Sequence, residues 1–263
     1  MRFLAFAAGL LALASVASAQ AVDPALLRDI APTGRLRAAI NLGNPVLAVR
    51  SAGEPSGVSV DLARELARRL GLPLDLIPFD AAGTVTEAAG GNVWDVAFLA
   101  IDPKRADQID FTPPYVVIEG AYAVPVASDL REVADIDREG IRIAVGRGSA
   151  YDLYLSRTIR RATLVRAPTS PESLRLFTVD KLEVAANVRQ PLERFVRETP
   201  GYRMIPGRFM IIEQAMGSPR GRALASRYLA EFVEEAKASG FVAAALARHS
   251  QPDAAVAAPA RPR

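Results

Sequence analysis

The sequence predicts an α/β protein of two lobes, each built on a mostly parallel sheet flanked by helices. Two observations favour this class: apolar strand-like runs alternate with helical stretches, and the alternation occurs twice along the chain. Between these two parts, the apolar segment 120–126 is predicted to carry the chain from one lobe to the other. A second apolar segment, residues 210–212, would return it, giving a clamshell with two crossovers.

The first lobe is predicted to comprise residues 20–122 and 210–250. Its clearest helix repeats Leu at every fourth position and ends at Gly71, which fits an apolar stripe packed on a sheet. Ser59 is the expected N-cap of this helix. Strands are predicted at residues 36–40, 74–79 and 93–99, and helices at residues 59–70, 83–89 and 222–239.

The second lobe is predicted to comprise residues 123–209, where the same alternation recurs. Beyond it and the return to the first lobe, residues 251–263 are rich in Ala, Pro and Arg, a composition that favours a disordered tail. Strands of the second lobe are predicted at residues 141–145, 163–165 and 184–186, and helices at residues 150–160 and 171–177.

Residues 1–19 have the pattern of a secretory signal peptide. Arg2 precedes an apolar run, and Ala17 and Ala19 form an A-x-A cleavage site before Gln20. The run is too short for a membrane anchor, and no basic flank follows it. The chain contains no cysteine, so an exported form would not depend on disulfides. We expect a periplasmic protein that begins near Gln20.

Charge and composition argue against several classes of function. The net charge is +3 and falls to about +2 once Arg2 is removed, and no Lys/Arg run with interleaved aromatics suggests nucleic-acid binding. His249 is the only histidine, and there is no cysteine, so the common nucleophile–base pairs and His-containing zinc sites are not available. We therefore expect no metal, no cofactor and no enzymatic activity.

The stretch 95–115 carries the clearest functional signal. An apolar run ends at Asp102 and Pro103, and Arg105 follows two residues later. A guanidinium is the side chain best shaped to hold a carboxylate through two parallel hydrogen bonds. The alternative is a surface ion pair of Arg105 with Asp102 or Asp107.

This stretch resembles the signature region of the amino-acid-type periplasmic solute-binding proteins of ABC transporters, extracellular solute-binding family 3. The resemblance extends from about Gly34 to about Arg248. It implies a type II periplasmic-binding-protein clamshell with its hinge at the two crossings and its ligand between the lobes. The residues that carry it are Asp95, Pro103, Arg105, Asp110, Phe111, Thr112, Pro114 and Tyr115.

The resemblance also implies a set of ligand-binding residues, of which Arg105 is the carboxylate anchor. Ala100 would contribute its backbone carbonyl, and Ser149 and Ala150 lie in the loop of the second lobe whose N–H groups open a helix. Asn44 lies on the rim of the first lobe. Asp102 stands where the family usually has Thr, and it would either orient Arg105 or repel an anion.

A second departure concerns the ligand's ammonium group. Amino-acid-binding members place an Asp in the second lobe, but here Asn187 or Val188 occupies the corresponding position. A buried ammonium without a partner is costly. Either Asp102 or Glu119 takes over that role, or the ligand has no ammonium, so both an α-amino acid and a small organic anion remain open.

The resemblance therefore implies a monomeric substrate-binding protein that closes over a small carboxylate and presents it to the membrane permease of an ABC transporter. Two alternatives remain. A dehydratase or lyase on the same fold would need a carboxylic acid beside the anion site, and Asp102 and Glu119 are the candidates. A soluble partner of a membrane sensor would bind a ligand in the same way.

Overall fold

The computed structural model describes residues 22–261, and the predicted signal peptide at residues 1–19 lies outside them. The helices are α1 (Pro24–Ile30), α2 (Val58–Leu70), α3 (Ala82–Glu87), α4 (Pro103–Ala106), α5 (Ala150–Thr158), α6 (Ser170–Val179), α7 (Arg189–Glu198), α8 (Ala223–Ala238) and α9 (Phe241–Arg248). The strands are β1 (Leu36–Asn41), β2 (Val49–Ser51), β3 (Glu54–Ser56), β4 (Leu74–Phe79), β5 (Val96–Ala100), β6 (Ile109–Pro125), β7 (Arg142–Gly146), β8 (Thr163–Ala167), β9 (Val184–Val188), β10 (Tyr202–Met204), β11 (Met210–Pro219) and β12 (Ala255–Val256).

The first half of the sheet contains β1 between β4 and β5, all parallel, and β11 runs antiparallel beside β5. Every residue of β5 is buried, as its continuous apolar run predicts for a strand covered on both faces. Helix α2 packs on this sheet through Leu62, Leu66 and Leu70 and ends at Gly71, whose φ of 66° favours glycine.

The predicted N-cap of α2 is wrong. The helix begins at Val58, two residues earlier than an N-cap at Ser59 implies, and its N-cap is Gly57, which makes no side-chain capping bond. A Cβ at Gly57 would lie 2.3 Å from the Leu47 carbonyl oxygen, so only glycine fits this approach. Ser59 is instead buried, with its hydroxyl 3.4 Å from that of Tyr115.

The second half repeats the arrangement with β7 between β8 and β9, again parallel. Together with the first half, these strands confirm the predicted α/β class with mostly parallel sheets. One face of this half has its own apolar cluster around Phe177, Leu182 and Leu192, whereas Ile143 and Val184 belong to the cluster that also contains the core of the first half.

The strand β6 connects the two halves. It pairs with β11 as far as Gly120 and with β9 from Gly120 to Ala123. A Cβ at Gly120 would lie 2.7 Å from Cγ of Met210 and 2.8 Å from Cζ of Phe209, so the two crossing segments touch at this residue. The two segments predicted to cross between the lobes thus meet at Gly120, and the lobe boundaries within them stay a prediction.

The C-terminal segment differs from the predicted disordered tail. Ala255 and Val256 form β12 on the edge of β6, and Ala254 and Ala257 beside them are buried. The prediction of disorder is wrong for these residues because small side chains fit against an exposed strand edge, which composition does not reveal. In the described part of the chain, none of the helices combines the length and apolar character needed to cross a membrane.

Candidate functional site

A cavity lies where the carboxyl ends of parallel strands from both halves meet. Asn41 ends β1, Ala100 ends β5 and Val188 ends β9, and all three line it. Ligands of open α/β sheets bind at this end of the strands. The space between the lining atoms is about 360 Å³ when open solvent is included, so the enclosed cavity itself is much smaller. Its other lining residues are Gly43, Asn44, Ala82, Arg105, Ser149, Ala150, Tyr151, Ser170, Ile212 and Gln214.

Arg105 is fixed by backbone carbonyls. Asp102 caps the short helix α4, accepting a hydrogen bond from the Lys104 amide at 2.9 Å. On this helix Arg105 is 1% exposed, and it donates from Nη1 to the Ala100 carbonyl at 2.8 Å and from Nη2 to the Gly148 carbonyl at 2.9 Å. Its Nε has no partner within residues 22–261. Burial lowers the pKa of Arg105 to about 10, so the side chain stays cationic at neutral pH.

The turn after β7 forms the facing wall. The φ of Gly148 is 67°, and its N–H donates to Oδ2 of Asp152 at 2.8 Å. Ser149 caps α5 by accepting a hydrogen bond from the Asp152 amide at 3.1 Å. Tyr151 donates its phenolic proton to Oγ of Ser170 at 2.8 Å, and burial raises the pKa of this phenol. This wall therefore offers neutral hydroxyl groups held in place by local hydrogen bonds.

The two halves of the protein touch across the cavity. Besides the bond from Arg105 to the Gly148 carbonyl, Nη2 of Arg157 on α5 lies 2.8 Å from Oδ2 of Asp102. The backbones of Gly83 and Gly148 also approach closely, because a Cβ at Gly148 would lie 2.7 Å from Cα of Gly83. The structure thus has the lobes in contact.

Five predicted site residues are brought together here: Arg105, Ala100, Ser149, Ala150 and Asn44 all line the cavity. The alternative in which Arg105 forms a surface ion pair is wrong, because the side chain is buried and bonded to carbonyls. The oxygen Oδ1 of Asn44 is also buried and has no hydrogen-bond partner in the described part of the chain.

Asp102 is not in the lining, although it was predicted there. It is 3% exposed, and its two oxygens are engaged by the Lys104 amide and the Arg157 guanidinium. The sequence could not reveal this partner, because Arg157 is distant in the chain. The same acid orients the helix that carries Arg105, which agrees with one of the two roles considered for it.

Glu119 and Asn187 also lie outside the lining. Glu119 accepts hydrogen bonds from Arg208 at 2.6 Å and Arg189 at 2.7 Å, and these two guanidinium groups lower the pKa of its carboxyl, Arg208 the more strongly. Asn187 accepts a hydrogen bond from the Val188 amide at 2.8 Å through its own side chain. Both polar groups are engaged by neighbours instead of facing the cavity.

Several lining residues escaped the sequence analysis. Gln214 is a polar residue, 5% exposed, that alternates with the apolar Ile212 and Met216 along the strand, and a polar residue between two apolar ones was an available signal. Ser170 and Tyr151 come together only because the paired strands β7 and β8 each deliver a helix to this end of the sheet, for which the sequence contains no local signal.

Comparison with known proteins places the chain in a family. The profile of bacterial extracellular solute-binding proteins, family 3, matches residues 36–251. The L-cystine-binding protein TcyJ of Escherichia coli is 24% identical over 185 residues, which cover 67% of this chain and 69% of that protein.

Solved structures agree with the fold. The solute receptor for L-cysteine of Neisseria gonorrhoeae superposes with a TM-score of 0.75 at 18% identity, covering 87% of this chain and 94% of that one. The putative binding component of an ABC transporter from Wolinella succinogenes, complexed with lysine, gives a TM-score of 0.72 at 18% identity, covering 82% and 95%. These structures have the two-lobed architecture predicted from the sequence.

Proposed function

Because the chain belongs to the bacterial extracellular solute-binding proteins of family 3, we propose that it captures a small carboxylate-bearing solute between its two lobes. The solute is an amino acid or a related organic anion. The protein acts as a monomer in the periplasm and presents the solute to the permease of an ABC transporter.

One observation carries this proposal: a buried cation with an unpaired donor lines the cavity between the lobes. The guanidinium of Arg105 is cationic at neutral pH, and its Nε, within the described residues, has no partner. A carboxylate would supply the missing acceptor in a charge-assisted hydrogen bond. Rotation of the guanidinium away from the Gly148 carbonyl would allow a bidentate contact.

The contacts across the cavity support a binding cycle. Lobes that separate would break the bond from Arg105 to Gly148 and the ion pair of Arg157 with Asp102. Separation admits the solute to Arg105, and closure then places the Ser149 turn against it. Ligand shifts the population towards the closed form only by the difference between its affinities for the two forms.

The named ligands of the relatives, L-cystine, L-cysteine and lysine, support a solute that carries a carboxylate. The alternative of a dehydratase or lyase is not favoured. Its candidate acids, Asp102 and Glu119, are both engaged in ion pairs, so neither is poised to exchange a proton with a solute.

A thermal-shift screen tests the proposal. The protein is refolded to remove co-purified ligand and screened against amino acids and simple carboxylates, with sugars and polyamines as controls. A ligand present at about 100 times its Kd adds about 2.7 kcal/mol of stability. That corresponds to a rise in Tm of about 5–10 °C for a chain of this size. A shift with sugars or polyamines alone would contradict the proposal.

A further inference from the structure

The charges around the cavity are unbalanced. Among the described residues that line it, Arg105 alone carries a formal charge, and the remaining polar side chains are amides and hydroxyls. The neutral members are Asn41, Asn44, Ser149, Tyr151, Ser170 and Gln214. A carboxylate bound to Arg105 therefore brings the enclosed charge to zero, and a second, positive group on the ligand would leave it unbalanced.

Two acids that flank the walls of the cavity are held by other groups, and Glu87 lines a neighbouring pocket that Arg105 also borders. Asp102 is paired with Arg157, and Asp152 lies 2.9 Å from Nε of Arg166 and accepts a hydrogen bond from the Gly148 amide. Along β11, Ile212 and Gln214 line the cavity, so Glu213 between them points to the opposite face and is exposed. Within residues 22–261, no carboxylate lines the cavity as a partner for an ammonium.

Two buried polar atoms of the lining lack hydrogen-bond partners in the described part of the chain: Nε of Arg105 and Oδ1 of Asn44. One is a charged donor and the other a neutral acceptor. Buried polar groups without partners are rare in folded proteins, and each costs stability until a ligand or water satisfies it. A ligand that satisfies both needs an anionic acceptor and a neutral donor.

We propose that the ligand of this cavity is a small hydroxycarboxylate and not an α-amino acid. This inference rests on the proposed function and narrows its substrate class. The carboxylate accepts from Nε of Arg105, and the hydroxyl donates to Oδ1 of Asn44. An ammonium in place of the hydroxyl could also donate to Asn44, but its charge would be buried near a guanidinium without a carboxylate to offset it.

Calorimetric titration of matched pairs tests the inference. The refolded protein is titrated with lactate and alanine, glycerate and serine, and 2-hydroxyisocaproate and leucine, together with propionate, which has neither substituent. We expect at least one hydroxy acid to bind about 100-fold more tightly than its amino counterpart, because burial of an ammonium without a partner lowers the affinity at least about 100-fold. Propionate should bind more weakly than lactate, since it leaves Oδ1 of Asn44 without a donor.

The outcomes separate this inference from the proposed function. An amino acid that binds as tightly as its hydroxy counterpart, or more tightly, overturns the inference and leaves the proposed function standing. If none of these carboxylates or amino acids binds, the inference is overturned, and the wider thermal-shift screen then decides the proposed function. Tighter binding of the hydroxy acids supports both.

A pair of substitutions at Val188 tests whether charge sets the preference. Val188 lines the cavity and is the N-cap of α7, where it makes no side-chain capping bond. Asp and Asn are both favourable N-caps, so Val188→Asp and Val188→Asn should both fold. We expect only Val188→Asp to move the ratio of amino-acid to hydroxy-acid affinity towards the amino acid, by about tenfold or more. An equal ratio in the two variants would overturn the inference.

Discussion

Replacing Gly148 by alanine should keep the two lobes apart. The φ of Gly148 is 67°, and an added Cβ would lie 2.7 Å from Cα of Gly83. Carbon atoms in contact lie about 3.5–4.0 Å apart, so the turn and α3 would have to separate by about 1 Å. The same turn supplies the carbonyl that accepts from Arg105, so that bond would be strained as well.

The size of the effect follows from two contributions. A left-handed backbone costs alanine about 1–2 kcal/mol in every folded conformation. The steric conflict arises only when the lobes meet, and overpacking of this kind costs about 1–3 kcal/mol. Because only the second contribution opposes closure, the affinity for ligand should fall about 5- to 150-fold.

Gly140→Ala is the matched control. Its φ is 82°, but an added Cβ there meets no atom within 4 Å, so it shares the backbone strain and lacks the conflict. Calorimetry would measure the affinity for the ligand found in the screen. Urea denaturation would measure the free energy of unfolding, and solution X-ray scattering would measure the compaction of the protein on ligand binding. We expect both variants to lose stability and only Gly148→Ala to lose affinity. Wild-type affinity in Gly148→Ala, or equal losses of affinity in both variants, would refute this reasoning.

Three further predictions concern the surroundings of the cavity. Arg157→Gln should weaken ligand binding a few-fold, because it removes a contact across the cavity and leaves Asp102 without its ion-pair partner. Calorimetry at low and high salt checks this prediction, and the loss of affinity should be smaller at high salt. Glu119→Gln should cost about 1 kcal/mol at pH 7, with a smaller cost in acid. Because the pKa of Glu119 is lower in the folded protein than in the unfolded chain, its ion pairs stabilise the fold fully at a pH above the unfolded-state pKa. This stabilisation is lost as the pH falls through the folded-state pKa, and urea denaturation from pH 7 to 3 measures the loss. Trp94→Phe should cost about 1–3 kcal/mol by removing the hydrogen bond from Nε1 to the Val85 carbonyl, while calorimetry shows unchanged affinity.

Much of the fold could be predicted from local patterns. The leucine stripe and Gly71 located α2, and the apolar run before Asp102 located β5, because burial of a face leaves a period in the sequence. The cap of α2 could not be predicted in this way. Its position depends on the approach of Gly57 to the Leu47 carbonyl, which is a contact between separate segments.

The site was predictable where a residue follows directly from a strand end. Arg105 and Ser149 each follow the carboxyl end of a strand, and both line the cavity. Asp102 was placed there by its position in the family pattern and Glu119 by its position beside the first crossing, but their partners Arg157 and Arg208 come from distant segments. A charged residue near a site in the chain can equally well be part of the structural network that holds the site.

The most direct test of the account is the affinity of Arg105→Gln for the best ligand of the screen. Its control is Lys104→Gln, which removes a neighbouring exposed charge of the same helix that does not line the cavity. A charge-assisted bond is worth about 1.5–3 kcal/mol, so a bidentate anchor predicts a loss of about 100-fold or more in Arg105→Gln. Lys104→Gln should bind normally. Near-normal binding by Arg105→Gln, with its fold verified by urea denaturation, would contradict the account.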